Sequence, residues 1–161
     1  MKRWLAALCG SLALGGCGSA VTWESVDAMI ARDFPDVNHI TPDQLPVGDD
    51  VLVLDVRDEA EYAVSHLPGA MRVTELDLAL SLVAERSARQ VVAYCSVGYR
   101  SSRLAQELQA AGVDAVNLHH GIFGWANGGR AVVRDDDTAL TVHPYDDKWG
   151  VLLKQSLHPG K

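Results

Sequence analysis

Three groups of residues in this chain have side chains whose type and spacing suit chemistry. The first is Cys95, followed by Ser96-Val97-Gly98-Tyr99 and then Arg100. A cysteine attacks as its thiolate, which is favoured beside a cation and near the unpartnered N–H groups that open a helix. Gly98 would let the loop curl so that successive amides point inward as an anion-binding nest, and Arg100 would add fixed positive charge. The second group is Asp55, Arg57 and His66; the third is His119-His120. An inert buried cysteine is the other reading of Cys95, and a glycine and an arginine within five residues of it argue against inertness.

The elements that must hold these residues follow from apolar periodicity. Val91-Val92-Ala93-Tyr94 is a short apolar run suited to a buried parallel strand. After Cys95 the period changes, with Leu104, Leu108 and Ala111 on one helical face, Ser101 or Ser102 available as a cap, and Gly112 as a stop signal. Cys95 is therefore expected at a strand's carboxyl end, below a helix N-terminus. Val51 to Val56 is a second continuous apolar run, with Asp55 and Arg57 at its end. In parallel α/β sheets the ligand crevice lies beyond the strands' carboxyl ends, which would bring both near Cys95. There they would either touch substrate or form a buried carboxylate with a partly exposed arginine.

His66 precedes a rigid Leu67-Pro68-Gly69 turn, and an adjacent imidazole can activate a thiol. The helix start and Arg100 already supply that activation, which leaves His66 a supporting role. His119-His120 suggests a metal pair, but adjacent strand residues point to opposite faces and no cysteine or carboxylate cluster accompanies them in sequence. Neither a metal nor a cofactor is expected.

Cys95-Ser96-Val97-Gly98-Tyr99-Arg100-Ser101 resembles the active-site loop of single-domain rhodaneses, which are sulfurtransferases. Leu54-Asp55-Val56-Arg57, Glu61-Tyr62 and His66-Leu67-Pro68-Gly69-Ala70 resemble the same family's first signature, and Leu118-His119-His120-Gly121-Ile122-Phe123-Gly124-Trp125 its closing segment. The resemblance runs from about Thr41 to Val133 and departs at Ser65, where the family usually has glycine. It implies a three-layer α/β/α fold with a mainly parallel sheet of about five strands, in agreement with the strand–helix alternation. It also implies sulfur transfer from an anionic donor such as thiosulfate or polysulfide, through a Cys95 persulfide, to a thiol or cyanide. Asp55 and Arg57 would help shape the site, His66 would be structural, and Ser96, Val97, Gly98, Tyr99 and Ser101 would form the loop, with Val97 and Tyr99 at its rim.

Two rivals remain at this level. Cysteine-loop phosphatases and arsenate reductases place five residues between cysteine and arginine; the four here make a ring better sized for sulfur. A lipid-tethered rhodanese-like module that binds or senses without turnover is the non-enzymatic reading.

The remaining chain concerns location. Its 161 residues suit one domain. Lys2 and Arg3, the apolar run Trp4 to Leu14, and Gly15-Gly16-Cys17 have the parts of a secretion signal, too short to span a bilayer comfortably. Leu14-Gly15-Gly16-Cys17 also resembles a bacterial lipobox, which implies cleavage after residue 16 and lipid on Cys17, anchoring the chain in the cell envelope and facing the periplasm. Gly18 is not the aspartate associated with inner-membrane retention, so a Gram-negative cell would place it in the outer membrane. An ordinary cleaved signal is the other reading. Loss of residues 1–16 would leave 12 basic against 21 acidic residues, a balance of −9 that disfavours nucleic acid. Cys9 would leave with the signal and Cys17 would carry lipid, making Cys95 the one free thiol; a dithiol mechanism would lack its resolving cysteine.

Between Cys17 and Ile40 we expect a tether and a helix from Trp23 to Phe34 capped by Thr22. Asp135-Asp136-Asp137 reads as a solvated loop, and residues 134–161 as an apolar tail packed on the domain or docking a protein partner.

Overall fold

A computed structural model describes residues 20–46, 48–135 and 137–160. The stretch expected to be a secretion signal and lipobox, Cys17 included, lies outside the described residues. No helix among the described residues is long and apolar enough to cross a membrane.

The apolar runs form a five-stranded sheet: β1 (His39–Ile40), β2 (Val51–Asp55), β3 (Met71–Arg72), β4 (Gln90–Tyr94) and β5 (Ala115–Leu118). Their order is β1-β5-β4-β2-β3, and every pairing is parallel. Val91 to Tyr94 are fully buried, as a central parallel strand covered on both faces requires.

The helices are α1 (Trp23–Asp33), α2 (Glu59–Val64), α3 (Leu76–Arg86), α4 (Tyr99–Ala110) and α5 (Gly121–Asn127). α4 lies on β4 and β5 and touches both α1 and α3. Thr22 caps α1 through a reciprocal pair with Ser25, as its position before the apolar period predicts. α4 differs from expectation: it begins one residue after Gly98, so Ser101 and Ser102 lie inside its first turn. There the Ser102 hydroxyl donates back to the Gly98 carbonyl at 2.7 Å.

Strand order locates the crevice. The connection leaving β2 runs to β3 on one side, and the one leaving β4 runs to β5 on the other, so the loops after β2 and β4 diverge. Cys95 stands just past β4 at that divergence.

Within the segment expected to be a solvated aspartate loop, Asp135 is exposed just after β6 (Val132–Arg134) and Asp137, also exposed, opens β7 (Asp137–Ala139), the two strands pairing antiparallel. These three-residue strands carry no apolar alternation long enough to announce them. Beyond them the tail joins the core: Val142, Leu152 and Leu153 are buried. The family departure at Ser65 acquires a structural reason here, because its buried hydroxyl donates to the Thr141 carbonyl at 2.7 Å and ties the tail to the domain.

Candidate active site

Cys95 is 1% exposed at the base of a loop whose shape is set from behind. Gly98 adopts φ +105°, a left-handed conformation that strains any residue with a Cβ, and an added Cβ would also come within 3.1 Å of Asn117. This turn brings the Gly98 N–H to Cys95 Sγ, to which it donates at 3.1 Å. On the far side, the first amides of α5 act on the loop's carbonyls. Ile122 N–H donates to the Cys95 carbonyl at 2.9 Å and Phe123 N–H to the Ser96 carbonyl at 3.0 Å. The helix start thus engages loop oxygens, while the Ser96, Val97, Tyr99 and Arg100 amides donate to no acceptor among the described residues. Unpaired N–H groups in such a loop are what an anion or a developing negative charge requires.

Arg100 stands within electrostatic reach of Cys95, and its charge does not act alone. Its guanidinium donates to both oxygens of Glu61 at 2.9 Å and to Ser96 Oγ at 3.1 Å, with Asp58 at 3.8 Å. Ser96 Oγ in turn donates to Glu61 at 2.7 Å. Burial works to lower the Arg100 pKa, but hydrogen bonding to Glu61 and the charge of Cys95 hold it above the usual range. Burial likewise works to raise that of Glu61, and its bonds with Arg100 and Ser96 bring it below the ordinary carboxylate value. Arg100 therefore closes the loop as a clamp, with much of its charge met by Glu61. Glu61 is 2% exposed and carries the clamp from α2, across the divergence between β2 and β4. In the sequence Glu61 stands only within a motif, and the signal that marks it is its place three positions after the Asp58 cap, at the capping-box position of a short helix.

Asp55 and Arg57 are fully buried. Arg57 grips Asp55 through Nε and Nη2, donates to the Ser65 carbonyl at 2.7 Å, and Tyr94 donates to Asp55 at 2.6 Å. Burial and then the Asp55 charge push Tyr94 well above its ordinary value, so it stays a donor. This is the buried-pair reading of these two residues, with the arginine wholly enclosed. Its Nη1 has no hydrogen-bond partner among the described residues. His66 lies with the hairpin: its backbone bridges Val133 in both directions, its ring stacks on Tyr62 at 3.9 Å, and Nδ1 is 3.3 Å from the Tyr62 carbonyl. None of these contacts reaches the Cys95 loop.

The rim also differs from expectation. Val97 is buried in the core; Tyr99 turns to α1, donating to Asp33 at 2.9 Å with its ring edge-on to Phe34. Ser101 is fully buried and donates to Asn117 at 2.6 Å, behind the loop. The residue over the clamp is Tyr145 of the tail, whose ring lies 4.9 Å from the Arg100 guanidinium carbon. No local pattern in the sequence could have placed it there. Beside the clamp, a cavity of about 180 Å³ is lined by Arg100 and Arg103 with Asp58 and Glu107.

His119 and His120 also depart from the strand argument. β5 ends at Leu118, and His120 takes φ +61°, so the two rings swing to one side and stack at 3.7 Å.

Comparison with known proteins gives the arrangement its relatives. The rhodanese-like domain model matches residues 43–128. A protein of Mycobacterium tuberculosis named "Probable adenylyltransferase/sulfurtransferase MoeZ" is 34% identical over 116 residues, covering 66% of this chain. This chain spans only 30% of that protein's length. A sulfurtransferase of Allochromatium vinosum is 34% identical over 86 residues, covering 53% of this chain and 80% of its own length. Among solved structures, a Rhodopseudomonas palustris protein of unknown function, described as a possible tyrosine phosphatase, superposes with a TM-score of 0.53 at 20% identity over 67% of this chain and 93% of its own. At that identity the likeness speaks for the fold. The match across more than half of the chain, with sulfurtransferases among its relatives, makes this protein a member of the rhodanese-like domain family.

Proposed function

We propose that the chain is a sulfurtransferase in which Cys95 carries a sulfane sulfur from an anionic donor, of the thiosulfate or polysulfide type, to a thiophilic acceptor. The observation that supports this most is the Gly98 N–H donating to Cys95 Sγ at 3.1 Å, in a loop with four residues between Cys95 and Arg100 whose neighbouring amides have no acceptor among the described residues. The Cys95 thiolate attacks the outer sulfur of thiosulfate. A new S–S bond forms at Sγ, the old S–S bond breaks, and sulfite leaves with its electron pair. Loop amides stabilise the negative charge on the bound sulfur, and the Glu61–Arg100 clamp fixes the loop's opening. Cyanide then takes the outer sulfur as thiocyanate, or a thiol takes it as a persulfide and releases a proton; either step regenerates the Cys95 thiolate.

Intact mass tests the reading. Incubation with thiosulfate should add one sulfur atom, cyanide should remove it, and Cys95→Ser should never gain it. No gain with either thiosulfate or polysulfide would defeat the reading, and aryl-phosphate hydrolysis lost in Cys95→Ser would replace it with a phosphatase.

The proposal extends to location: export to the periplasmic face and lipid attachment at Cys17. Chain recovered from membranes should carry the lipid mass on an N-terminal cysteine, and Cys17→Ser should release it.

A further inference from the structure

Just past the carboxyl end of β5, three potential ligand atoms converge. Asp27 of α1 meets both histidines: His119 Nε2 is 3.0 Å from its Oδ1, and His120 Nε2 is 3.0 Å from the same oxygen and 3.3 Å from Oδ2. All three ligand atoms lie within 4.8 Å of one another. Their contacts hold them from several sides. Trp23 stacks on His120 at 4.0 Å, His119 stacks on the same ring at 3.7 Å, and His120 itself takes a left-handed backbone conformation. A cavity of about 280 Å³ opens beside them, lined by Asp27, Ile30, Ala31, His39 and His119.

We propose that Asp27, His119 and His120 form a binding site for a divalent transition-metal ion of the zinc class. Zinc binds imidazole and carboxylate at about 2.0–2.2 Å in tetrahedral geometry, which sets ligand atoms roughly 3.3 Å apart. The two contacts of 3.0 Å to Asp27 Oδ1 are within a few tenths of that spacing, and the two imidazole nitrogens lie within 4.8 Å of each other. Two imidazoles select borderline ions over magnesium or calcium, which take oxygen ligands. Three protein ligands leave a fourth position for water or a small anion on the cavity side. His39 lines the same cavity, its ring 6.3 Å from that of His119, and Asn117 faces its Nδ1 at 3.0 Å, so it borders the site without joining the triad. Metal binding here adds a second anion-attracting centre that uses none of the sulfur-carrying loop. It nevertheless touches that loop's support, since His120 is the residue that opens α5, whose amides hold the Cys95 and Ser96 carbonyls.

The test is equilibrium dialysis of the full chain, without an affinity tag, against zinc alone. We expect one equivalent to bind to the natural chain and to Cys95→Ser, and binding at least about tenfold weaker in Asp27→Asn and in His119→Ala. Cobalt(II) in the natural chain should show d–d absorption without a thiolate-to-cobalt charge-transfer band. The inference is overturned by absence of bound zinc, by full-strength binding in Asp27→Asn or His119→Ala, by loss of binding in Cys95→Ser, or by a sulfur charge-transfer band. Because the Cys95→Ser arm retains the metal in this scheme, failure of sulfur transfer and failure of the metal site are read separately.

Discussion

Glu61 sets how much charge the loop presents. With its carboxylate bonded to both Arg100 and Ser96, it orders the ring and offsets the cation at once. Glu61→Gln keeps the shape and removes the charge, leaving the partly buried Arg100 without its closest carboxylate and with only Asp58 at 3.8 Å; a loss of about 3 kcal/mol is expected from chemical denaturation at neutral pH. The same pair gives the fold an acid limit. Because the Glu61 value is lowered in the folded state, its ionised form adds stability above the ordinary 4.5 and that contribution is lost as pH falls through the lowered value. The stability gap between the natural chain and Glu61→Gln should therefore narrow on acidification. A gap that stays constant across that range would show that Glu61 is not the group titrating.

At the scale of elements, α5 shapes the loop from behind, and Gly121 makes the approach feasible. Gly121 has φ +53°, and a Cβ there would meet the Cys95 carbonyl oxygen at 2.2 Å. Gly112 is equally left-handed, at φ +84°, with nothing within 4 Å. Gly112→Ala should cost about 1 kcal/mol by thermal unfolding. Gly121→Ala should cost more than about 2 kcal/mol and also slow persulfide formation, because its clash falls on the loop itself. Equal effects of the two would remove α5 from the loop's support. The elements themselves were largely legible in sequence: the apolar runs became β2 and β4, the Thr22 cap opened α1, and Gly112 ended α4. What escaped sequence reasoning depends on separate segments meeting. Glu61 reaches Arg100 across 39 positions, Tyr145 arrives from the tail, and Asp27 meets His119 across 92. The paired direction of His119 and His120 is hidden in sequence because β5 ends at Leu118 and the left-handed His120 breaks strand alternation.

For the whole molecule, the tail is part of the core. Val142, Leu152 and Leu153 are buried with the family domain, and Ser65 fixes Thr141 to it. Leu153→Ala should destabilise the chain by about 2–4 kcal/mol, and Ser65→Gly by about 1–2 kcal/mol, both measured by denaturant unfolding. Two separate unfolding transitions, with the tail melting first, would contradict a shared core. The enclosure of Cys95 has a further consequence for the order of encounters. At 1% exposure the bare sulfur offers little surface to a bulky disulfide or thiol. In the proposed cycle, loading it with sulfur would extend the reactive atom by about 2.05 Å, the length of an S–S bond. On the proposed function, the empty protein would thereby be shielded from being trapped as a mixed disulfide, while the loaded one would hold its sulfur nearer to an acceptor. Small alkylating agents should label the unloaded thiol much faster than bulky maleimides, and loading should shrink that difference.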